Sequence, residues 1–239
     1  MELISSLIRN DADYFQTFSK ASFREEFILF HNPWLPLRYD ANKAMFLRIK
    51  PGNIKECLED ISKFYLINNL VPRIELDPLC QPENLEESLI ENNWEKVWER
   101  EYSIMVLNSE KFSQYKCSAK FKIEKATSKN ISHLLKVREG TIEKDEPKEI
   151  YTNSLLFEFM SKRVYYYILY SENQPVSKGC IFKKDNLIRL ENVSTIPSEQ
   201  GKGYGTALVA FLVETALKEN NNDVIFLFAK PGSVAERIY

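Results

Sequence analysis

The chain has 239 residues, 44% of them hydrophobic and 13% aromatic, with 32 basic and 34 acidic side chains for a formal charge of −2. That balance gives no electrostatic case for nucleic acid or an anionic membrane surface. No apolar run approaches the ~20 residues that cross a bilayer, and residues 1–5 lack the basic flank and apolar core of a secretion signal. The expectation is a cytosolic protein of one large or two ordinary domains, with no membrane or nucleic-acid partner. Cys57, Cys80, Cys117 and Cys180 form no close pair, and the only histidines are His31 and His133. The spacing suits free thiols rather than structural zinc or disulfides.

In chain order, residues 45–49 read as a strand, and Ile54, Cys57, Leu58, Ile61, Phe64 and Tyr65 fall at helical spacing. A second strand covers 72–76, a helix entered through Pro82 covers 82–92, and a long β-like run covers 94–107. The polar, Ser/Lys-rich stretch 108–120 marks a domain boundary, giving domains 1–115 and 116–239. Beyond it come a strand at 121–126, a helix begun by Ile131, Leu134, Leu135 and Arg138, and a helix at 150–160. Residues 163–171 and 175–183 form a hairpin around Glu172, Asn173 and Gln174, and 187–195 is a further strand. Leu208, Phe211, Leu212 and Thr215 make the apolar face of the next helix, followed by a strand at 224–228 and a helix at 233–239. The two halves share an order: helix 54–69 matches 205–219, strand 72–76 matches 224–228, and helix 83–92 matches 233–239. The fold class is α/β with mixed sheets in two domains.

Between strand 187–195 and its following helix lies Gln200-Gly201-Lys202-Gly203-Tyr204-Gly205, which holds three of the chain's seven glycines. Glycine near a helix start costs about 0.5–1 kcal/mol relative to alanine. The usual compensation is a ligand that approaches the backbone closely, and at a helix N-terminus that ligand is an anion. Lys202 adds a flexible positive charge. The turn is not a P-loop, because no Gly-Lys-Ser/Thr follows, nor a dinucleotide fingerprint, which needs G-x-G-x-x-G early in a βαβ unit.

The pattern Q-x-x-G-x-G after such a strand and before an amphipathic helix resembles the GNAT superfamily of N-acetyltransferases. The resemblance runs from about residue 121 to 239 and takes in Val193-Ser194-Thr195-Ile196-Pro197, the glycine turn and Ala235-Glu236-Arg237-Ile238-Tyr239, which looks like the family's A-x-x-x-Y helix. The first half looks like a degenerate copy with no glycine signature, and the resemblance implies no acyl-CoA site there. In the second half it implies acetyl-CoA as co-substrate, with its pantetheine arm on the backbone of Val193, Ser194 and Thr195. Its pyrophosphate would rest on Gln200, Gly201, Lys202, Gly203, Tyr204, Gly205 and Thr206. Transfer would be direct, from thioester to an amine of a small molecule or peptide, with no acyl-enzyme.

Catalytic candidates follow from the same resemblance. Glu191, placed by a period of two on the face of Val193 and Thr195, is the candidate base, and Asn192 a lesser candidate for orienting water or substrate. Tyr239 takes the place of the family's acid, which protonates the leaving thiolate. Gly232 stands where the family often has asparagine. Family members continue with further strands, so the edge of strand 224–228 is expected to need cover from another segment or from a second copy in a homodimer, with 94–107 retained by its own half. Alternatively the chain is shortened, or its terminal carboxylate serves as the base. Tyr165, Tyr166, Tyr167 and Tyr170, and the acids Glu143, Asp145, Glu146 and Glu149, are the residues through which an amine could be recognised. The rival expectations are a non-catalytic acyl-CoA-binding protein and an aminoacyl transferase.

Overall fold

The structure is a computed structural model that describes residues 2–107, 121–142, 147–219 and 223–238. Two compact units divide the chain, Met1–Glu99 and Arg100–Tyr239. The boundary expected within 108–120, like Cys117, lies outside the described residues.

In the first unit helix α1 (Glu2–Phe15) precedes strands β1 (Lys20–Phe23), β2 (Ile28–His31) and β3 (Lys43–Met45), which form an antiparallel sheet in that order. Helices α2 (Ile54–Ile67) and α3 (Leu85–Glu91) follow. Leu58, Ile61 and Tyr65 of α2 are buried at helical spacing against Leu29, Ala44 and Leu47, and the Tyr65 hydroxyl donates to the carbonyl of Phe30 at 2.9 Å. Ala44 forms a parallel bridge with Ile74, so the expected strand at 72–76 is reduced to a single bridged position. α1, β1 and β2 were not anticipated.

The second unit holds six strands: β4 (Ser103–Val106), β5 (Lys122–Lys125), β6 (Val164–Ser171), β7 (Gln174–Lys184), β8 (Leu187–Thr195) and β9 (Val224–Ala229). Their order in the sheet is β4-β9-β8-β7-β6-β5, with every pairing antiparallel except β8 with β9. The β6–β7 turn is the two residues Glu172 and Asn173, with φ of 49° and 64°; paired left-handed residues suit the twist of a tight hairpin. Helices α4 (Ile131–Gly140) and α5 (Lys148–Met160) lie between β5 and β6, α6 (Tyr204–Glu219) between β8 and β9, and α7 (Val234–Ile238) after β9. Leu208, Leu212 and Ala216 of α6 pack against Leu169, Ile181 and Leu190 on one face of this sheet.

One expectation is overturned here. Residues 94–107 are not a continuous strand of the first half; only Ser103–Val106 is extended in a ladder, and it pairs antiparallel with β9 from Ser103↔Ala229 to Val106↔Phe226. The edge of β9 is therefore covered by a segment preceding the domain, and needs neither further strands nor a second copy. An edge as apolar as Val224–Ala229 would otherwise invite pairing with other chains. β4 also secures α7: the Ser103 hydroxyl donates to Glu236 at 2.7 Å, and the second oxygen of that carboxylate accepts the Gly232 amide at 2.6 Å. Gly232 has φ of +71°, which gives a backbone reason for glycine at this turn.

Gly179 of β7 faces α6 so closely that an added Cβ would sit 3.1 Å from both Leu212 Cδ1 and Val193 Cγ2. Gly179→Val is expected to destabilise the protein by about 1–3 kcal/mol through overpacking, as read by urea unfolding; unchanged stability would show that α6 is not seated by this contact.

Candidate functional site

The parallel pair β8–β9 is short. It runs through Leu187↔Val224, Ile188↔Ile225 and Arg189↔Phe226 and then stops, although both strands continue. The cause lies on the other side of β8. Against β7, Cys180 pairs with Glu191 and Lys178 with Ser194, so Asn192 and Val193 oppose Gly179 alone. This is a β-bulge, and Asn192 within it has φ of 56°. Bulges bend the strand that carries the extra residue, and asparagine is among the side chains least averse to left-handed backbone. From residue 190 onward β8 has no strand partner on its β9 side among the described residues.

The bulge also shifts the alternation of side chains. Paired positions share a face, so Glu191 lies with Cys180 whereas Thr195 lies with Ser177, and Val193 packs beside Gly179. Glu191 is thus on the face opposite to Val193 and Thr195, a correction to the expectation that all three share one face. The extra residue breaks the period of two on which that expectation rested. The Glu191 carboxylate accepts from Arg189 Nε at 2.6 Å and is partly exposed. On Glu191's side of the sheet Asn192 Nδ2 donates to Glu158 Oε2 at 2.8 Å and to the Tyr166 hydroxyl at 3.0 Å. The Ser194 hydroxyl is buried without a hydrogen-bond partner.

After β8, a 3-10 turn at Pro197–Glu199 leads into the glycine stretch. Gly201 and Gly203 have φ of +78° and +83°, and nothing lies within 4 Å of where a Cβ would stand on either. Left-handed backbone and open space together explain glycine at both positions. The Gly203 carbonyl accepts the first helical bond, from Ala207, so the amides of Tyr204, Gly205 and Thr206 are the unsatisfied donors at the head of α6. The amides of Gly201, Lys202 and Gly203 make no backbone hydrogen bond among the described residues. Six consecutive donors thus lie at the positive end of a sixteen-residue helix, with open space beside Gly201 and Gly203.

The side chains of this stretch do other work. Gln200 Nε2 donates to the Thr195 carbonyl at 3.2 Å, tying the turn to the end of β8. Lys202 Nζ is 2.9 Å from Glu199 in an exposed ion pair, which raises the Lys202 pKa. Tyr204 is buried: its hydroxyl shares a hydrogen bond with Ser171 at 2.8 Å and its ring meets Phe121 edge-on. Across the glycine stretch, Ile238 of α7 stands 3.6 Å from where a Gly205 Cβ would be. Tyr239, and with it Glu143, Asp145 and Glu146, lie outside the described residues. Glu149 is in the first turn of α5.

The three described thiols, Cys57, Cys80 and Cys180, offer no nucleophile. Burial pushes Cys57 up to about 12, Cys80 up to about 11 and Cys180 well above the ordinary thiol value, so all three stay protonated at neutral pH. Three groups near the bulge have no site role in the sequence reading: Glu158 and Lys178, both buried, and Arg138, half-buried; Tyr166, a candidate for amine recognition, is buried and hydrogen-bonded to Glu158. The signal was present, since Glu158 stands between Phe157 and Phe159, and Lys178 alternates along its strand with Val176 and Cys180.

The first unit treats the matching place differently. At the head of α2, which follows β3 as α6 follows β8, the Glu26 carboxylate accepts the Lys50 amide at 2.7 Å and Asn53 Nδ2 at 3.1 Å, and the Cys57 thiol approaches it at 3.2 Å. The Lys50 amide, with Asn53 and Cys57, holds Glu26 below the usual carboxylate range. An internal carboxylate thus stands where the second unit is open.

Residues 130–239 match the model of the acetyltransferase (GNAT) family. No curated protein matches the sequence. A functionally unknown conserved protein from Staphylococcus epidermidis shares the fold, with a TM-score of 0.66 and 17% identity over 92% of this chain and 87% of its own. So does a GCN5-related N-acetyltransferase from Kribbella flavida, with a TM-score of 0.66 and 13% identity over 98% of this chain and 89% of its own. A bulged strand that leaves its parallel neighbour, an open glycine turn heading a helix and the family match over those same residues agree. The second unit thus contains a domain of the GNAT acetyltransferase family, over residues 130–239.

Proposed function

We propose that the protein is an acetyl-CoA-dependent N-acetyltransferase that passes an acetyl group directly to an amine of a small molecule or peptide. The observation that carries this reading is a pair of adjoining features: the pairing of β8 with β9 ends at Arg189↔Phe226, and the amides of 201–206 make no backbone hydrogen bond among the described residues. The first suits an amide-bearing arm laid down as an added strand, and the second suits a pyrophosphate. The residues fit such a ligand, because the glycine positions are open to approach and the buried Ser194 hydroxyl lacks a partner.

When bound, acetyl-CoA supplies the activated thioester. Val193, Ser194 and Thr195 align its arm through their main chain. Gly201, Lys202, Gly203, Tyr204, Gly205 and Thr206 hold the pyrophosphate, while Gln200 fixes the turn that presents them. Holding both reactants at attack distance is the main catalytic gain open to this site. The amine nitrogen forms a bond to the acetyl carbon, the carbon–sulfur bond breaks, and the sulfur leaves as a thiolate. An alkyl amine with a pKa near 10.4 must first lose a proton, at a cost of about 4–5 kcal/mol at pH 7. Glu191 takes that proton, directly or through water, with Arg189 fixing its carboxylate. Tyr239 returns a proton to the thiolate.

Titration with acetyl-CoA by calorimetry is expected to give one site per chain, because Glu26 fills the matching place of the first unit; two sites would overturn that assignment. Gly203→Asp should weaken binding by roughly two orders of magnitude, about 2.7 kcal/mol, through repulsion of the pyrophosphate. Gly203→Ala, which strains the backbone without adding charge, should retain most of the affinity. Equal affinity in the aspartate variant would remove the phosphate site from the glycine turn.

Thiol release over a panel of amines measures turnover. Tyr239→Phe should lower kcat by about tenfold or more with little change in acetyl-CoA affinity, whereas an unchanged kcat would take the acid role from Tyr239. Binding without any thiol release would identify a non-catalytic acyl-CoA-binding protein.

A further inference from the structure

Lys178 is about 1% exposed, lies in the middle of β7, and has no carboxylate within ion-pair distance among the described residues. Its Nζ donates to one group, the main-chain carbonyl of Asn192, at 2.9 Å. That carbonyl belongs to the left-handed residue of the bulge. The Asn192 side chain is gripped from the other direction, by the buried Glu158 carboxylate and the buried Tyr166 hydroxyl. Tyr166 and Glu158 also share a short hydrogen bond with each other, and Ser154 Oγ donates to Glu158 at 3.4 Å. Both the main chain and the side chain of one strained residue are thus fixed by groups from α5, β6 and β7.

A buried lysine without an ion pair is costly, and left-handed backbone at a non-glycine residue adds about 1–3 kcal/mol. Burial, with Arg138 nearby, draws Lys178 down from the ordinary lysine value to about 8. A methionine of similar length would avoid the burial cost. What methionine lacks is a donor for the Asn192 carbonyl.

We propose that Lys178, Glu158 and Tyr166 are positioning residues that clamp the Asn192 bulge and thereby fix the bent course of β8, keeping the strand beyond Arg189 in one conformation for the acyl carrier. The inference rests on the proposed function only for the identity of that ligand. The clamp itself is a property of the free protein. It acts through Asn192 and touches neither reactant.

The test is Lys178→Met, with Asn192→Gly as its rescue. In the ligand-free variant, amide hydrogen exchange in a peptide covering 190–195 should accelerate about tenfold, while exchange in β6 stays as in the wild type. The unfolding temperature should be unchanged or higher, because an unpaired buried charge has been removed. Affinity for coenzyme A should fall about tenfold. Glycine adopts the left-handed conformation without strain, so the double variant should return both exchange and affinity toward wild type. Tyr166→Phe provides the same readouts from the other side of the clamp if Lys178→Met does not fold.

Wild-type exchange in 190–195 for Lys178→Met, or for Tyr166→Phe where that variant stands in, would overturn the clamp, as would failure of Asn192→Gly to rescue. Absence of coenzyme A binding to the wild type would defeat the proposed function alone, since the exchange measurement needs no ligand.

Discussion

The second unit depends on a mismatch of one residue between β7 and β8. Two residues of β8 stand opposite Gly179, and the strand bends at Asn192. Had the ladder stayed regular, β8 and β9 would have continued to pair past Arg189 and Phe226, and their backbone groups would have satisfied one another. A regular sheet has no vacancy at its centre, because buried amides and carbonyls are paired almost without exception. Past the bulge a central strand runs without a β9 partner among the described residues, an arrangement that proteins ordinarily confine to the margin of a sheet.

That opening is useful only because its surroundings are closed. β4 covers the far edge of β9, α6 seals one face through Leu208 and Leu212, and Gly179 permits the close approach of α6 to Val193. The glycine turn then leads from the end of β8 into the head of α6. Gln200 ties that turn back to the Thr195 carbonyl, joining strand end and helix start. A ligand that is amide-rich along one part and doubly anionic at the other would find donors and acceptors in the right sequence along its length.

Much of this was legible in the amino acids. The glycine turn stands out in a chain with few glycines, the α6 face shows helical spacing, and the Glu172-Asn173 hairpin has turn chemistry. These are local signals, each carried by neighbours in sequence. The bulge is not local: its clamp joins Asn192 to Glu158, 34 positions away, and its phase shift placed Glu191 on the face opposite to the expected one. β4 was misassigned for a related reason. Ser103–Val106 has a pattern that suits any sheet edge, and only the exposed flank of β9 decides which sheet it joins. α1 was missed although Leu7, Ile8, Tyr14 and Phe15 lie on one buried stripe; there the spacing carried the signal.

The two units meet the same electrostatic problem with opposite solutions. A helix beginning just after a strand presents several amides and a positive dipole end, and burying these without an anion is unfavourable. In the first unit the chain supplies the anion itself. Glu26 arrives from the β1–β2 hairpin, accepts the Lys50 amide and the Asn53 side chain, and is held ionised by them. The loop before α2 therefore needs no glycines at left-handed positions, and Gly52 is not left-handed. In the second unit no side chain takes that role: Glu199, the nearest acid in sequence, turns to Lys202 instead. A carboxylate of the chain placed before a helix is favoured by the dipole, whereas a helix head without one costs stability until an anion arrives. The costly arrangement at the head of α6 is the one on which the proposed ligand site is built.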